Sequence, residues 1–163
     1  MDPRLTPLAE TLRLNSRLYR NCLTGLTDER ARERPAGRGP TNSAAFVAAH
    51  LVDSRYYLLG LVGGKQSSPL KGATGGFNDI NQVTSFPPLS EIQSAWTAAG
   101  EALDRQLAAV STAQLDAPLD PGFPLDNKTL LGVLTFMVQH ESYHLGQLGL
   151  LRKHTGLPAM AYD

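Results

Sequence analysis

Four separate stretches of the sequence repeat apolar residues at spacings of three and four positions, which is the pattern of a helix with one buried face. Almost no stretch shows the alternation expected of a half-buried strand. The pattern therefore predicts an all-α protein that folds as a four-helix bundle. The expected helices are 5–26, a second that begins at Thr41, Asn42 or Ser43 and stops near Gly63, a third over 90–110, and a fourth from Thr129 to Gly156.

The connection from Gly63 to Pro88 is the longest segment without a helical period, and it is rich in Gly, Ser and Pro. Connections inside compact bundles are usually about 2–8 residues long. A third helix parallel to the second would require the chain to return along the whole bundle, about 30 Å for a 20-residue helix. We therefore expect a long crossover between helices 2 and 3, within one domain over 1–163. Shorter breaks at 27–40 and 111–128 separate the other helices.

The charge balance excludes several classes of partner. Fifteen basic and fifteen acidic residues leave no formal net charge, whereas nucleic acids and anionic membranes both favour a basic surface. No apolar run approaches the roughly 20 residues that cross a bilayer. Cys22 is the single cysteine, and the N-terminal segment lacks the apolar stretch of a signal peptide. We expect a cytoplasmic protein with no nucleic-acid and no membrane partner.

Three histidines fall on the buried faces of two predicted helices. His140 and His144 are four residues apart, so their side chains differ by about 40° around the helix and 6 Å along it. One metal ion can bind both, and His50, midway along the second helix, can supply a third ligand. A three-histidine site leaves a coordination position open, which is typical of catalytic metal sites. The alternative is that these are core histidines with hydrogen-bond partners. His154 lies about 280° around the helix from His144 and cannot join them.

The string from His140 to His144 also satisfies the zinc-protease pattern H-E-x-x-H, in which Glu141 would be the general base. The longer form of that motif fails, because Gln147 and Leu150 occupy its Gly and His positions. No glutamate follows Glu141, and no convincing edge strand exists to hold an extended peptide. The sequence therefore gives a zinc hydrolase less support than the other functions considered below.

The stretch HESYHLGQLGLLRKHTGLP (140–158), with the inward histidine of NSAAFVAAHL (42–51), resembles the DinB family of metalloenzymes. The specific part is the H-x-x-x-H-x-G-Q stretch together with the upstream histidine. The resemblance implies a four-helix bundle and a divalent metal, most often nickel or zinc, held by His50, His140 and His144. Relatives include thiol-dependent S-transferases and the mycothiol-dependent maleylpyruvate isomerase, in which the metal activates a low-molecular-weight thiol.

The predicted function is accordingly that of a divalent-metal-dependent transferase. An open metal position would lower the pKa of a cosubstrate thiol and provide the thiolate nucleophile near neutral pH. The expected partners are a small-molecule thiol and an electrophile, and the expected assembly is a homodimer. The alternative function is a non-catalytic metal-binding or stress-response bundle, which would bind metal without turnover.

Four further residues are candidates for the site. Gln147 lies on the histidine face of the fourth helix and is either a group that orients a water or a substrate or a helix-packing amide. Glu141, 100° from His140, is a candidate catalytic base, an acceptor for a ligand's hydrogen bond, or a solvated surface residue. Asn15 interrupts the apolar face of the first helix and is expected to reach the pocket. Tyr143 is a candidate substrate contact, or a core residue with a partner for its hydroxyl.

Overall fold

The computed structural model describes residues 1–35, 41–71, 73, 79–83 and 85–163. Within these residues the chain forms helices and short 3-10 turns at Pro3–Leu5 and Ile80–Gln82, and its β-structure is limited to an isolated bridge between Pro118 and Thr129. The predicted all-α class is confirmed. The helices are α1 (Thr6–Leu23), α2 (Asp28–Arg32), α3 (Ala44–Leu61), α4 (Leu89–Ala109), α5 (Thr112–Leu115) and α6 (Leu130–His154).

Hydroxyl side chains begin α3 and α6, as the sequence predicts. The Phe46 amide donates to Ser43 Oγ at 3.2 Å, and the Gly132 amide donates to Thr129 Oγ1 at 3.3 Å. Each bond satisfies one of the backbone donors that a helix leaves unpaired at its first turn.

The two shorter breaks contain short helices that the sequence analysis missed. The segment 27–40 includes α2, and its Asp28 Oδ1 accepts a hydrogen bond of 2.8 Å from the amide of Leu89. That bond begins α4 one residue before the predicted Ser90, after Pro88, which offers no side-chain cap. The segment 111–128 includes α5, which a capping box at Ser111 begins. Positions 36–40 of the first break lie outside the described residues.

The four long helices run up, down, down and up, which is visible in the two core clusters. One cluster joins the end of α1, the first half of α3, the first half of α4 and the second half of α6. The other joins the start of α1, the end of α3, the second half of α4 and the first half of α6. Because α3 and α4 are parallel neighbours, the chain between them must return along the bundle. The predicted four-helix bundle with a long crossover is confirmed; positions 72, 74–78 and 84 of the crossover lie outside the described residues.

The helix faces differ in how well the apolar spacing predicted them. In the predicted third helix the apolar residues at three- and four-residue spacing are all buried: Ile92, Trp96, Ala99, Leu103, Leu107 and, just after α4, Val110. Tyr57 of α3 follows Leu51 and His50 at helical spacing, which predicts a buried side chain, but it is 42% exposed. No helix in the described part of the chain is long and apolar enough to span a lipid bilayer.

Candidate metal centre

His50 of α3 meets His140 and His144 of α6 in the groove between the two helices. His140 Nε2 lies 3.3 Å from His50 Nε2 and 3.1 Å from His144 Nε2, and one nitrogen of each ring lies within 4.8 Å of the others. An ion bound to imidazole nitrogens at about 2.0–2.1 Å holds adjacent ligand atoms roughly 3.0–3.4 Å apart. The three histidines that the sequence predicts to converge do so, and their spacing suits one divalent ion. His154 is exposed in the last turn of α6, outside this group.

The hydrogen bonds of the rings favour a metal site over a group of core histidines. His140 Nδ1 is buried and has no hydrogen-bond partner among the residues that the structure describes. Its Nε2 faces two other Nε2 atoms instead of a carbonyl or a carboxylate. Core histidines are ordinarily paired with protein donors or acceptors. Three ring nitrogens directed at one another are the arrangement that a shared cation requires.

Gln147 orients His144. Its Oε1 lies 2.7 Å from His144 Nδ1, so this ring nitrogen carries the proton and donates it to the amide oxygen. The lone pair of His144 is then on Nε2, which is the nitrogen directed at the other two histidines. Gln147 therefore contacts a candidate ligand, in the manner of a partner that holds a metal-binding imidazole in place.

Burial keeps the three histidines in the neutral form that metal binding needs. Burial, together with smaller effects of His144 and His140, lowers the pKa of His50 to about 4. Burial is also the main cause that lowers the pKa of His140, with His144 adding to it. For His144, burial lowers the pKa while the bond to Gln147 opposes that shift. At neutral pH, a metal ion that binds these rings therefore displaces no proton from them.

Acid is expected to destabilise the metal-free protein over a defined range. A histidine in an unfolded chain has a pKa of about 6.5, whereas that of folded His50 is about 4. Between these values the unfolded chain binds a proton that the folded chain does not, so the free energy of unfolding decreases as the pH falls from about 6.5 to about 4. For His50 the complete effect is on the order of 3 kcal/mol.

Urea unfolding of chelator-treated protein between pH 7.5 and pH 4 measures this loss. His50→Leu removes the titrating ring, so its stability should decrease less steeply with acid than that of the wild type. Parallel curves for the two proteins would show that His50 does not cause the effect.

Glu141 lies in a buried ion pair with Arg55, and only 4% and 1% of the two side chains are exposed. Arg55 Nη2 donates to Oε1 at 2.6 Å, and Arg55 Nε donates to Oε2 at 3.0 Å. Both carboxylate oxygens are thus engaged by one guanidinium. This arrangement argues against two of the roles that the sequence left open for Glu141, the general base and the solvated surface residue. Glu141 reaches Arg55 because position 141 is turned about 100° around α6 from His140, toward the bundle interior.

The Arg55–Glu141 pair connects all four long helices. Arg55 of α3 donates to Ser16 Oγ and to the Leu12 carbonyl of α1, at 2.7 and 3.2 Å. Its guanidinium also lies 3.4 Å from the ring centre of Trp96 on α4. Gly100 leaves room for this contact, since a Cβ there would lie 3.1 Å from Arg55 Nη1. The pair sets the register of α3 against α6 next to the three histidines.

The sequence analysis did not single out Arg55. The available signal was its position four residues after Leu51 and three before Leu58, on the buried side of α3. A charged residue at such a position needs an opposite charge within the core. Glu141 is that partner.

The other two candidate residues lie at the edge of the site or away from it. Asn15 is buried on α1, where its Nδ2 donates to Ser142 Oγ at 3.1 Å, so it connects α1 to α6. Tyr143 is 59% exposed and packs edge-on against His144, with ring centres 5.1 Å apart. Tyr143 is therefore not a core residue.

Two cavities lie along the groove between α3 and α6, on either side of the histidines. The first, of about 480 Å³, reaches His50 and His140 and has aromatic walls that include Phe123 and Phe136. The second, of about 510 Å³, lies toward the end of α6; Asn42, Gln147 and Lys153 lie among its largely apolar walls. Both volumes are in the range of small-molecule sites.

Comparisons with other proteins agree with this architecture. The chain is similar in structure to a conserved protein from Enterococcus faecalis, with a TM-score of 0.72 and 15% sequence identity over 93% of this chain and 96% of that chain. A search of curated proteins gives no significant sequence match. The sequence model of the DinB superfamily matches residues 11–148. Because that match covers most of the chain, the protein belongs to the DinB superfamily.

Proposed function

We propose that this protein is a metal-dependent transferase that joins a low-molecular-weight thiol to an electrophile. Nickel or zinc would be held by His50, His140 and His144. The observation that carries the proposal is the convergence of three neutral imidazole nitrogens at the edge of a cavity. Three protein ligands leave at least one coordination position for a substrate.

Bound at these histidines, a divalent ion would lower the pKa of a thiol that coordinates it and so provide a thiolate near pH 7. In the transfer itself the thiol sulfur forms a bond to carbon of the electrophile, the leaving group departs with its bonding electron pair, and the thiol proton passes to the medium. Gln147 holds the His144 ring in its binding orientation. The Arg55–Glu141 pair keeps α3 and α6 in the register that brings His50 to α6.

The two cavities offer room for two substrates, and they differ in the groups that line them. The cavity beside Gln147 offers amide and ammonium groups, which suit a hydrophilic thiol that carries carboxylates. The cavity beside His50 and His140 has largely apolar walls, which suit an electrophile. Low-molecular-weight thiols are kept reduced in the cytosol, which supports the cytoplasmic location that we also propose.

Three other hypotheses differ from this proposal in testable ways. A metal-storing or stress-response bundle would bind the ion without turnover. An H-E-x-x-H hydrolase needs Glu141 as a free base, whereas both of its carboxylate oxygens bind Arg55. An isomerase of dianionic maleylpyruvate needs basic side chains near its substrate. The described residues around the cavity beside His50 and His140, which we call the aromatic cavity, include no lysine or arginine.

A homodimer is part of the proposal. Tyr143 and Leu150, seven residues apart on one face of α6, are 59% and 69% exposed, and a second copy of the chain would cover them. Light scattering after size-exclusion chromatography measures the assembly state.

Protein expressed without a histidine tag should be assayed with glutathione, bacillithiol and mycothiol against 1-chloro-2,4-dinitrobenzene. We expect product with one of the thiols, its loss after chelation, and its return with one divalent metal. Stoichiometric metal with no turnover on any of the three thiols would favour the non-catalytic alternative. Protein that binds no metal would contradict the proposal.

A further inference from the structure

The aromatic cavity is a defined site beside the three histidines. His50 and His140 form its inner end, and Tyr57, Phe123 and Phe136 form its walls. The Phe123 and Phe136 rings are stacked, with centres 4.6 Å apart and planes 29° apart. Tyr57 meets Phe123 edge-on at 6.4 Å, and Phe136 lies 6.3 Å from the His140 ring. A row of rings therefore leads from the outer end of the cavity to the histidines.

The loop that carries Phe123 is tied to the start of α6. The Leu119 amide donates to the Lys128 carbonyl at 3.0 Å, and the Leu130 amide donates to the Ala117 carbonyl at 3.1 Å. Lys128 Nζ also pairs with Asp120 at 2.6 Å. These bonds fix the loop on both sides of Phe123, so its ring is held against Phe136 as one wall of the cavity.

The charge of the cavity restricts its ligand. Asp53 lines it, and no lysine or arginine does so among the residues described there. In the metal-free protein an anionic ligand would lose hydration without gaining a cationic partner, and it would lie near a carboxylate. A flat apolar ring, by contrast, gains offset stacking with Phe123 and Phe136.

We propose that this cavity binds the electrophile and selects flat, uncharged aromatic or conjugated molecules. The inference rests on the proposed transferase function for the role of the ligand. It does not depend on metal for the binding itself, because the recognising groups are side chains of this chain. The cavity therefore has a binding preference that can be measured on metal-free protein.

Three small probes test the preference: 1-naphthol, its anionic counterpart 1-naphthoate, and non-aromatic cyclohexylmethanol. Ligand-observed NMR titrations of chelator-treated protein should give affinity for 1-naphthol at least about tenfold higher than for either other probe. Phe136→Leu keeps apolar volume but removes the ring, so it should weaken 1-naphthol binding by up to about tenfold. Phe123→Leu, on the loop, is the second variant and should act in the same direction.

Phe86→Leu is the matched control. Phe86 packs against the core cluster at the end of α1, whereas Phe123 and Phe136 pack against the cluster at the start of α1. This control should leave 1-naphthol binding unchanged. Equal affinity for naphthol and naphthoate, or for naphthol and cyclohexylmethanol, would overturn the proposal. So would unchanged binding in both folded Phe→Leu variants. Metal content measured on the same samples tests the transferase proposal separately, because a chain that binds 1-naphthol but no metal would contradict only the latter.

Discussion

Replacing His50, His140 or His144 by alanine is expected to abolish tight binding of a divalent ion while the bundle remains folded. Each substitution removes one of three nitrogens that lie within 4.8 Å of one another. Loss of an outer partner of a metal ligand typically costs about 10–100-fold in affinity, and loss of a ligand itself should cost more than that. Isothermal titration calorimetry with nickel and zinc on tag-free protein measures the change.

Two further variants make this prediction specific. Gln147→Ala leaves all three ligands present but removes the acceptor 2.7 Å from His144 Nδ1, so we expect an intermediate loss of about 10–100-fold. His154→Ala removes an exposed histidine in the last turn of α6 and should have no effect. An equal loss for His154→Ala, or none for His50→Ala, would contradict the three-histidine site.

Breaking the Arg55–Glu141 ion pair is expected to have the largest effect on stability. Arg55→Ala would leave the Glu141 carboxylate buried without its charge partner. Glu141→Ala would likewise leave the Arg55 guanidinium buried without a carboxylate. Removing one partner of a buried ion pair typically costs about 3–5 kcal/mol. That is a large part of the roughly 5–15 kcal/mol by which domains are usually stable. Chemical unfolding of metal-free protein measures the free energy.

The double variant Arg55→Met with Glu141→Leu is the informative comparison. It replaces both charges by apolar side chains, so its stability should lie well above that of either single variant. The Glu141→Gln variant separates the two roles of this residue: a catalytic base would lose turnover at unchanged stability, whereas the structural pair predicts lower stability. Single variants as stable as the wild type would refute the structural role.

The sequence alone was sufficient to predict the four long helices and three converging histidines. Helical spacing places residues three and four positions apart on one face, so the buried face of α4 and the pairing of His140 with His144 follow from local geometry. The N-caps at Ser43 and Thr129 are equally local. The length of the segment before α4 was enough to predict the crossover, because only a parallel neighbour requires so long a return.

Contacts between helices decided the rest, because they join residues that are distant in sequence. Position 141 satisfies a protease motif, yet the packing of α3 against α6 brings its carboxylate into an ion pair with Arg55. Asp28 caps a helix that begins at Leu89, and Phe123 forms a wall with Phe136. Helical periodicity determines which way a side chain points from its own helix, but only the packed bundle determines which partner it meets there.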